Sequence, residues 1–226
     1  MAQEEVYIIK RKLAAAFATA ILFVSVAAAA LYFTFTPGKP SALLLFLGET
    51  AERCGLGRPA AYLYEQALLF SPGNARARLR LAAVLHSADE PERAEAVLRD
   101  GIALPGSPVS MYCALSKLLI DQGRLDEAVA FIDGAGNGIT GLRLNTLRPS
   151  VSVRPAPGSY SSPVSFEIEP CDGVSFYYSL SDSPSAWNAC SAPLLLQPGS
   201  FYRIQVVAVS ADGLPSRLHV FCYDIR

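Results

Sequence analysis

The amino-acid sequence predicts a multidomain α plus all-β protein: a single transmembrane helix, a short α-solenoid of about three helix pairs, and an antiparallel β-sandwich. Three observations carry this. An uncharged run fills Leu13 to Phe35, and Ala60, Ala94 and Ala128 stand 34 residues apart. Beyond Pro149 the apolar period shortens from that of a helix to two. The composition excludes a disordered polar chain, since 51% of the residues are apolar and only 17% are charged. A net charge of −1 leaves no basic surplus to neutralise phosphates, so nucleic acid is not an expected partner.

The first element is the apolar run. Leu13 to Phe35 contains 23 residues, of which only Thr19, Ser25 and Thr34 are polar. As a helix rising about 1.5 Å per residue it covers about 34 Å, enough for a hydrocarbon core of about 30 Å. Lys10, Arg11 and Lys12 precede it directly, whereas the next basic residues are Lys39 and Arg53. The basic bias places residues 1–12 in the cytoplasm as a short tail and everything after the span outside it. A cleaved signal peptide is the alternative, with Ala28, Ala29 and Ala30 as a small-residue cleavage site. Against it, Leu31, Tyr32, Phe33 and Phe35 continue the apolar run past the alanines. Both readings put the later domains on the same side, so the expected location is the cytoplasmic membrane with periplasmic or extracellular domains.

The second element is a set of helix pairs over residues 38–135. The first unit, Ser41 to Asn74, carries Leu44, Leu47, Gly48, Ala60, Tyr64, Ala67 and Pro72. The third begins near Val109 and carries Tyr112, Leu115, Gly123, Arg124, Ala128 and Ile132. The middle unit, Ala75 to Pro108, keeps Leu81, Ala94 and Leu98 but has Gly101 at an alanine position and Pro105 one residue early. Over residues 41 to 135 this pattern resembles the tetratricopeptide repeat. The large residue at the fourth position of each unit is Leu44, Arg78 and Tyr112, so the middle unit departs most. The resemblance implies stacked helix pairs with a concave face that binds protein or peptide. By family analogy Glu49, Arg53, Arg76, His86, Lys117 and Asp121 point to that face. Their mixed charge does not form a basic clamp for a terminal carboxylate.

Residues 136–148 contain Gly136, Gly138 and Gly141, where helical periodicity stops, and are expected to form a linker. The third element occupies residues 149–226. Val164, Phe166 and Ile168 alternate with polar neighbours, and so do Val174, Phe176 and Tyr178. Tyr202, Ile204, Val206 and Ala208 form a third run, and Leu218, Val220 and Cys222 a fourth. Turn signals separate them at Pro157-Gly158, Asp172-Gly173, Pro198-Gly199 and Asp212-Gly213, a spacing that argues for a sandwich. Four stretches, Pro155 to Ile168, Asp172 to Pro184, Tyr202 to Gly213 and Pro215 to Ile225, resemble the chitobiase/β-hexosaminidase C-terminal type of immunoglobulin-like module. The shortened stretch after Tyr178 and the cysteine content depart from that family. There the module is an accessory of exported bacterial proteins and not a catalytic domain. The resemblance implies an immunoglobulin-like fold and, as a second reading, envelope-glycan binding. The aromatics that would stack on a sugar are Tyr160, Tyr177, Trp187 and Tyr202, unless they serve as sandwich core.

Of five cysteines, Cys54 and Cys113 fall in predicted helices and read as small core residues. In an immunoglobulin-like layout Cys171 and Cys190 share one pole and form the candidate disulfide; three free thiols in the β region are the alternative. Nothing in the chain suggests catalysis. His86 and His219 lie in different domains, with no nucleophile motif beside either. No Cys-x-x-Cys or His-x-x-x-His spacing suggests a metal, and the glycines at 134–141 follow a helix without the lysine and serine of a phosphate loop. The acidic group Asp89, Glu90, Glu92 and Glu95 opens a helix, where negative charge is favourable. No cofactor is expected. The sequence therefore predicts a non-enzymatic scaffold that holds other proteins, such as subunits of a membrane complex, and reaches the lipid bilayer through Leu13–Phe35.

Overall fold

The computed structural model describes residues 40–136, 138–180, 187–190 and 192–226, together with Ile21 and Val24. Among the described residues no helix is long and apolar enough to cross a membrane. The predicted span Leu13–Phe35 lies outside them, save for Ile21 and Val24, both helical and exposed. The chain divides into two compact units, one ending at Leu104 and one running from Pro105 to Arg226.

The first unit holds two helix hairpins. Helix α1 (Pro40–Arg53) opens with a proline, whose missing N–H costs nothing at a helix start. It buries Leu43, Gly48 and Ala51. Helix α2 (Gly57–Phe70) answers with Ala60, Tyr64 and Ala67, all fully buried. The Tyr64 ring lies so close to the α1 backbone that a β-carbon at Gly48 would stand 2.5 Å from Tyr64 Cε1. Helix α3 (Ala75–Ser87) is capped by the Asn74 side chain, which accepts from the Ala77 N–H at 3.1 Å. With α4 (Pro91–Ile102) it closes a second hairpin around Leu81, Leu85, Ala94 and Leu98. Each fully buried leucine contributes about 1.5–3 kcal/mol of transfer free energy.

The second unit combines three helices with two sheets. Helices α5 (Val109–Asp121) and α6 (Leu125–Asp133) form a third hairpin around Leu115, Leu119, Ala128 and Ile132. Residues 136–148, expected as a linker, instead hold helix α7 (Ile139–Leu147). It is kept in place by Leu144, 1% exposed, which packs with Ile132 and Leu214. Arg148 follows it and pairs with Asp133 at 2.6 Å.

The strands are β1 (Val153–Arg154), β2 (Gly158–Tyr160), β3 (Val164–Ile168), β4 (Val174–Ser179), β5 (Asn188–Ala189), β6 (Leu194–Leu196), β7 (Ser200–Ser210) and β8 (His219–Ile225). They form a three-stranded sheet, β1-β3-β6, and a five-stranded sheet, β2-β8-β7-β4-β5. The two sheets share one core: Val164, Phe166 and Leu196 from the first meet Ile204, Val206, Tyr223 and Ile225 from the second. The expected all-antiparallel pattern fails at one place, where β2 pairs parallel to β8 with Gly158 opposite Tyr223. A strand with only three residues can join the edge in either direction, and apolar alternation carries no sign of which it takes.

Candidate protein-binding site

The six residues expected on a concave helical face fall into the two units. In the first, Glu49 and Arg53 sit on α1 and Arg76 and His86 on α3. Glu49 and Arg76 form an ion pair at 2.7 Å that ties α1 to α3. Beside it, the Tyr64 hydroxyl donates to Glu52 Oε2 at 2.7 Å, and Arg80 reaches Glu52 Oε1 at 3.5 Å. Burial and the Glu52 carboxylate push the Tyr64 hydroxyl well above the usual phenol range. Sequence reasoning does not single out Glu52, Tyr64 and Arg80 as a polar group. The usable signal is the hydroxyl of an otherwise core aromatic, which demands a partner when buried. Arg53 and His86 are exposed. What results is a surface on which Glu49 pairs with Arg76 and Glu52 with Arg80, with Arg53 and His86 exposed beside them.

In the second unit Lys117 and Asp121 sit on α5 and are also exposed. Lys117, however, is overlaid by the turn between β7 and β8. A β-carbon at Gly213 would stand 2.9 Å from the Lys117 Cα. On the same side of α5, Cys113 packs with the buried Leu214, and Ile120 packs with Val207 and Val209 of β7. Residues 113, 117 and 120 are spaced as one helical stripe. The protein's own strand β7 and its turn lie along that stripe, leaving the Lys117 side chain exposed. Burial, and then the charge of Asp212, push the Cys113 thiol above its ordinary range, as expected for a cysteine sealed under such a contact.

The four aromatics expected to form a sugar platform are not brought together. Tyr177 and Trp187 pack against the cluster that Leu125 and Val129 of α6 form with Val207 and Val209 of β7, and the Trp187 indole donates to Asp126 Oδ1 at 3.0 Å. Tyr160 lies against the sandwich core, stacked on Tyr223, and its hydroxyl donates to the Ala156 carbonyl. Tyr202 lies against the same core and its hydroxyl accepts from the Gln197 N–H. Each ring is committed to an internal contact, because a large apolar surface contributes most when it is buried.

The candidate disulfide is likewise not formed: Cys171 and Cys190 are both thiols, as are Cys54, Cys113 and Cys222. Cys171 is exposed, and the Cys190 sulfur is turned to the Ala192 carbonyl at 3.8 Å. Both cysteines line a cleft of about 580 Å³ with Glu167, Phe176 and Tyr177. Burial raises the Cys190 thiol above its ordinary range, which disfavours the thiolate. Among the described residues no group of three or more His, Cys, Asp or Glu gathers to hold a metal.

Comparison with known proteins gives one family. A model described as tetratricopeptide repeat matches residues 59–105, from α2 through α4. No curated protein matches the chain. Among solved structures, a crystal structure of MamA is 23% identical, covering 48% of this chain and 63% of that one, with a TM-score of 0.40. TTC0263, a thermophilic TPR protein in Thermus thermophilus, is 26% identical, covering 47% and 60%, with a TM-score of 0.39. YrrB, a TPR protein with an unusual peptide-binding site, is 13% identical, covering 41% and 48%, with a TM-score of 0.36. The chain thus spans less than two thirds of each of these proteins. The tetratricopeptide-repeat match thus covers residues 59–105, and buried Ala60, Ala94 and Ala128 recur at 34-residue spacing along the helical part of the chain.

Proposed function

We propose that this protein is a membrane-anchored, non-enzymatic scaffold that binds a protein partner on the inner face of its first unit, outside the cytoplasm. Repeats of this kind stack into concave surfaces suited to peptide and protein recognition. One observation carries the choice of face. In the second unit the β7–β8 turn lies over the Lys117 backbone and Cys113 and Ile120 pack under the protein's own sheet region, which narrows that face although the Lys117 side chain is exposed, whereas in the first unit Arg53 and His86 stand exposed beside the paired Glu49 and Arg76. The exposed cation favours a partner segment with acidic side chains. The anchor reading is supported by the uncharged run Leu13–Phe35 and its basic flank. The β region, whose wording resembles immunoglobulin-like accessory modules, then serves to cap the third helix pair.

Affinity capture of the intact chain from its own membranes tests this. Arg53→Glu combined with His86→Glu changes two exposed side chains, and with the thermal unfolding of the variant matching the native chain the co-purifying protein is expected to be lost. An unchanged set of co-purifying proteins would remove the proposed face.

A further inference from the structure

The end of the first hairpin carries two large apolar side chains with nothing over them. Leu69 is 72% exposed and Phe70 60% exposed, at the last turn of α2. This end is also where the chain enters the unit. The Ser71 hydroxyl donates to the Ser41 hydroxyl at 3.1 Å, so the end of α2 lies beside the start of α1. Residues 40–42 and 68–75 contain no charged side chain. The carboxylates Asp89, Glu90 and Glu92 belong to the turn and first helical turn that join α3 to α4, at the other end of those helices. The nearest acidic residue in sequence is Glu65, one turn before Leu69 on α2, and it is paired with Arg93 at 2.9 Å.

Only four residues of sequence separate Phe35, where the apolar run stops, from Pro40, where α1 starts. Even fully extended, that tether reaches no more than about 17 Å. The polar interface of a bilayer is itself roughly 6 Å thick on each side of the hydrocarbon. We propose that Leu69 and Phe70 dip into the outer membrane interface and seat the first unit end-on against the lipid. The inference rests on the reading of Leu13–Phe35 as a membrane span. The occupant is lipid and not a second protein because the tether keeps this end within reach of the bilayer. Arg78 donates to the Pro72 carbonyl at 3.0 Å, so the charged side chain at this turn is a cation, and apolar and aromatic side chains beside such a group gain free energy by entering that boundary. Seated this way, the inner face with Arg53 and His86 runs up from the membrane instead of lying on it.

The test uses the full chain reconstituted into phosphatidylcholine vesicles with brominated acyl chains. Phe70→Trp and, separately, Leu69→Trp place a fluorescent reporter on the exposed end, while Tyr62→Trp places one at an exposed site two turns earlier on α2. Native Trp187 is present in all three and supplies the baseline. The proposal expects the chain to float with the vesicles. It also expects the indole introduced at position 70 or 69 to lose most of its emission, with a blue shift. The indole introduced at position 62 then behaves as the Trp187 baseline does. Flotation without extra quenching at 69 or 70 would overturn the seating while leaving the anchor standing. Failure to float would overturn the anchor reading and this inference together.

Discussion

Gly213 lies directly over Lys117, so that a β-carbon on the glycine would stand 2.9 Å from the lysine Cα. The contact joins the β7–β8 turn to helix α5 and leaves no room for a side chain. The glycine backbone is also left-handed, at φ 81°. Gly213→Ala therefore meets both a steric clash and a backbone penalty. It should destabilise the second unit by about 3 kcal/mol. Hydrogen exchange checks this, with α5, α6 and β7 losing protection together. Loss confined to the turn would mean the sheet and helices are not one cooperative unit.

In the first unit the close approach is Gly48 on Tyr64. Alanine normally favours a helix over glycine by about 1 kcal/mol. Here its β-carbon would meet the Tyr64 ring at 2.5–2.7 Å. Gly48→Ala is accordingly expected to cost about 1–3 kcal/mol in spite of the better helix former. Urea unfolding followed by circular dichroism reads the sign directly, and a stabilised variant would contradict this packing.

Trp187 and Asp126 join β5's approach to α6. Trp187→Phe keeps an aromatic ring but removes the indole donor, a loss of about 1 kcal/mol at an exposed charged acceptor. Trp187→Ala also strips the cover from Leu125 and Val129 and should cost about 2 kcal/mol. Thermal unfolding of both variants should rank them in that order. A glycan-binding role for Trp187 would instead show a stable alanine variant with weakened oligosaccharide binding.

His219 stacks on Phe221, and burial lowers its pKa from the ordinary 6.5. Between the lowered value and about 6.5 the unfolded chain binds more protons than the folded one. The stability of the second unit should therefore fall as pH drops below about 6.5. Denaturant midpoints measured from neutral to mildly acidic pH should show this fall in the native chain and a shallower one in His219→Phe.

The repeat spacing was legible because it is local. Ala60, Ala94 and Ala128 are each 0% exposed, since only a methyl group fits where the paired helices cross. The strands were legible for the same reason, with Val164 and Phe166 alternating inward as period two requires. Helix α7 was not legible, because its glycines read as breakers. Gly141 is there for space: a β-carbon on it would collide with the Gly136 carbonyl. Nor could the docking of the sheet on α5 and α6 be foreseen. It depends on Leu214 meeting Ile132 and Leu144, and on Val207 and Val209 meeting Leu125 and Val129. Those contacts join residues far apart in sequence, and both partners already had a plausible place in a local core. This is why Tyr177 and Trp187 looked available for a ligand and Lys117 looked like an open groove residue.

A protein partner is proposed to occupy the inner face of the first unit. Site-specific photocrosslinking in native membranes addresses it most directly, with a photoreactive residue placed at Arg53, at His86 and at Tyr62 on the second helix of the first hairpin. One discrete protein adduct is expected from positions 53 and 86 and none from 62. Adducts of equal yield from all three positions, or none from 53 and 86, would contradict it.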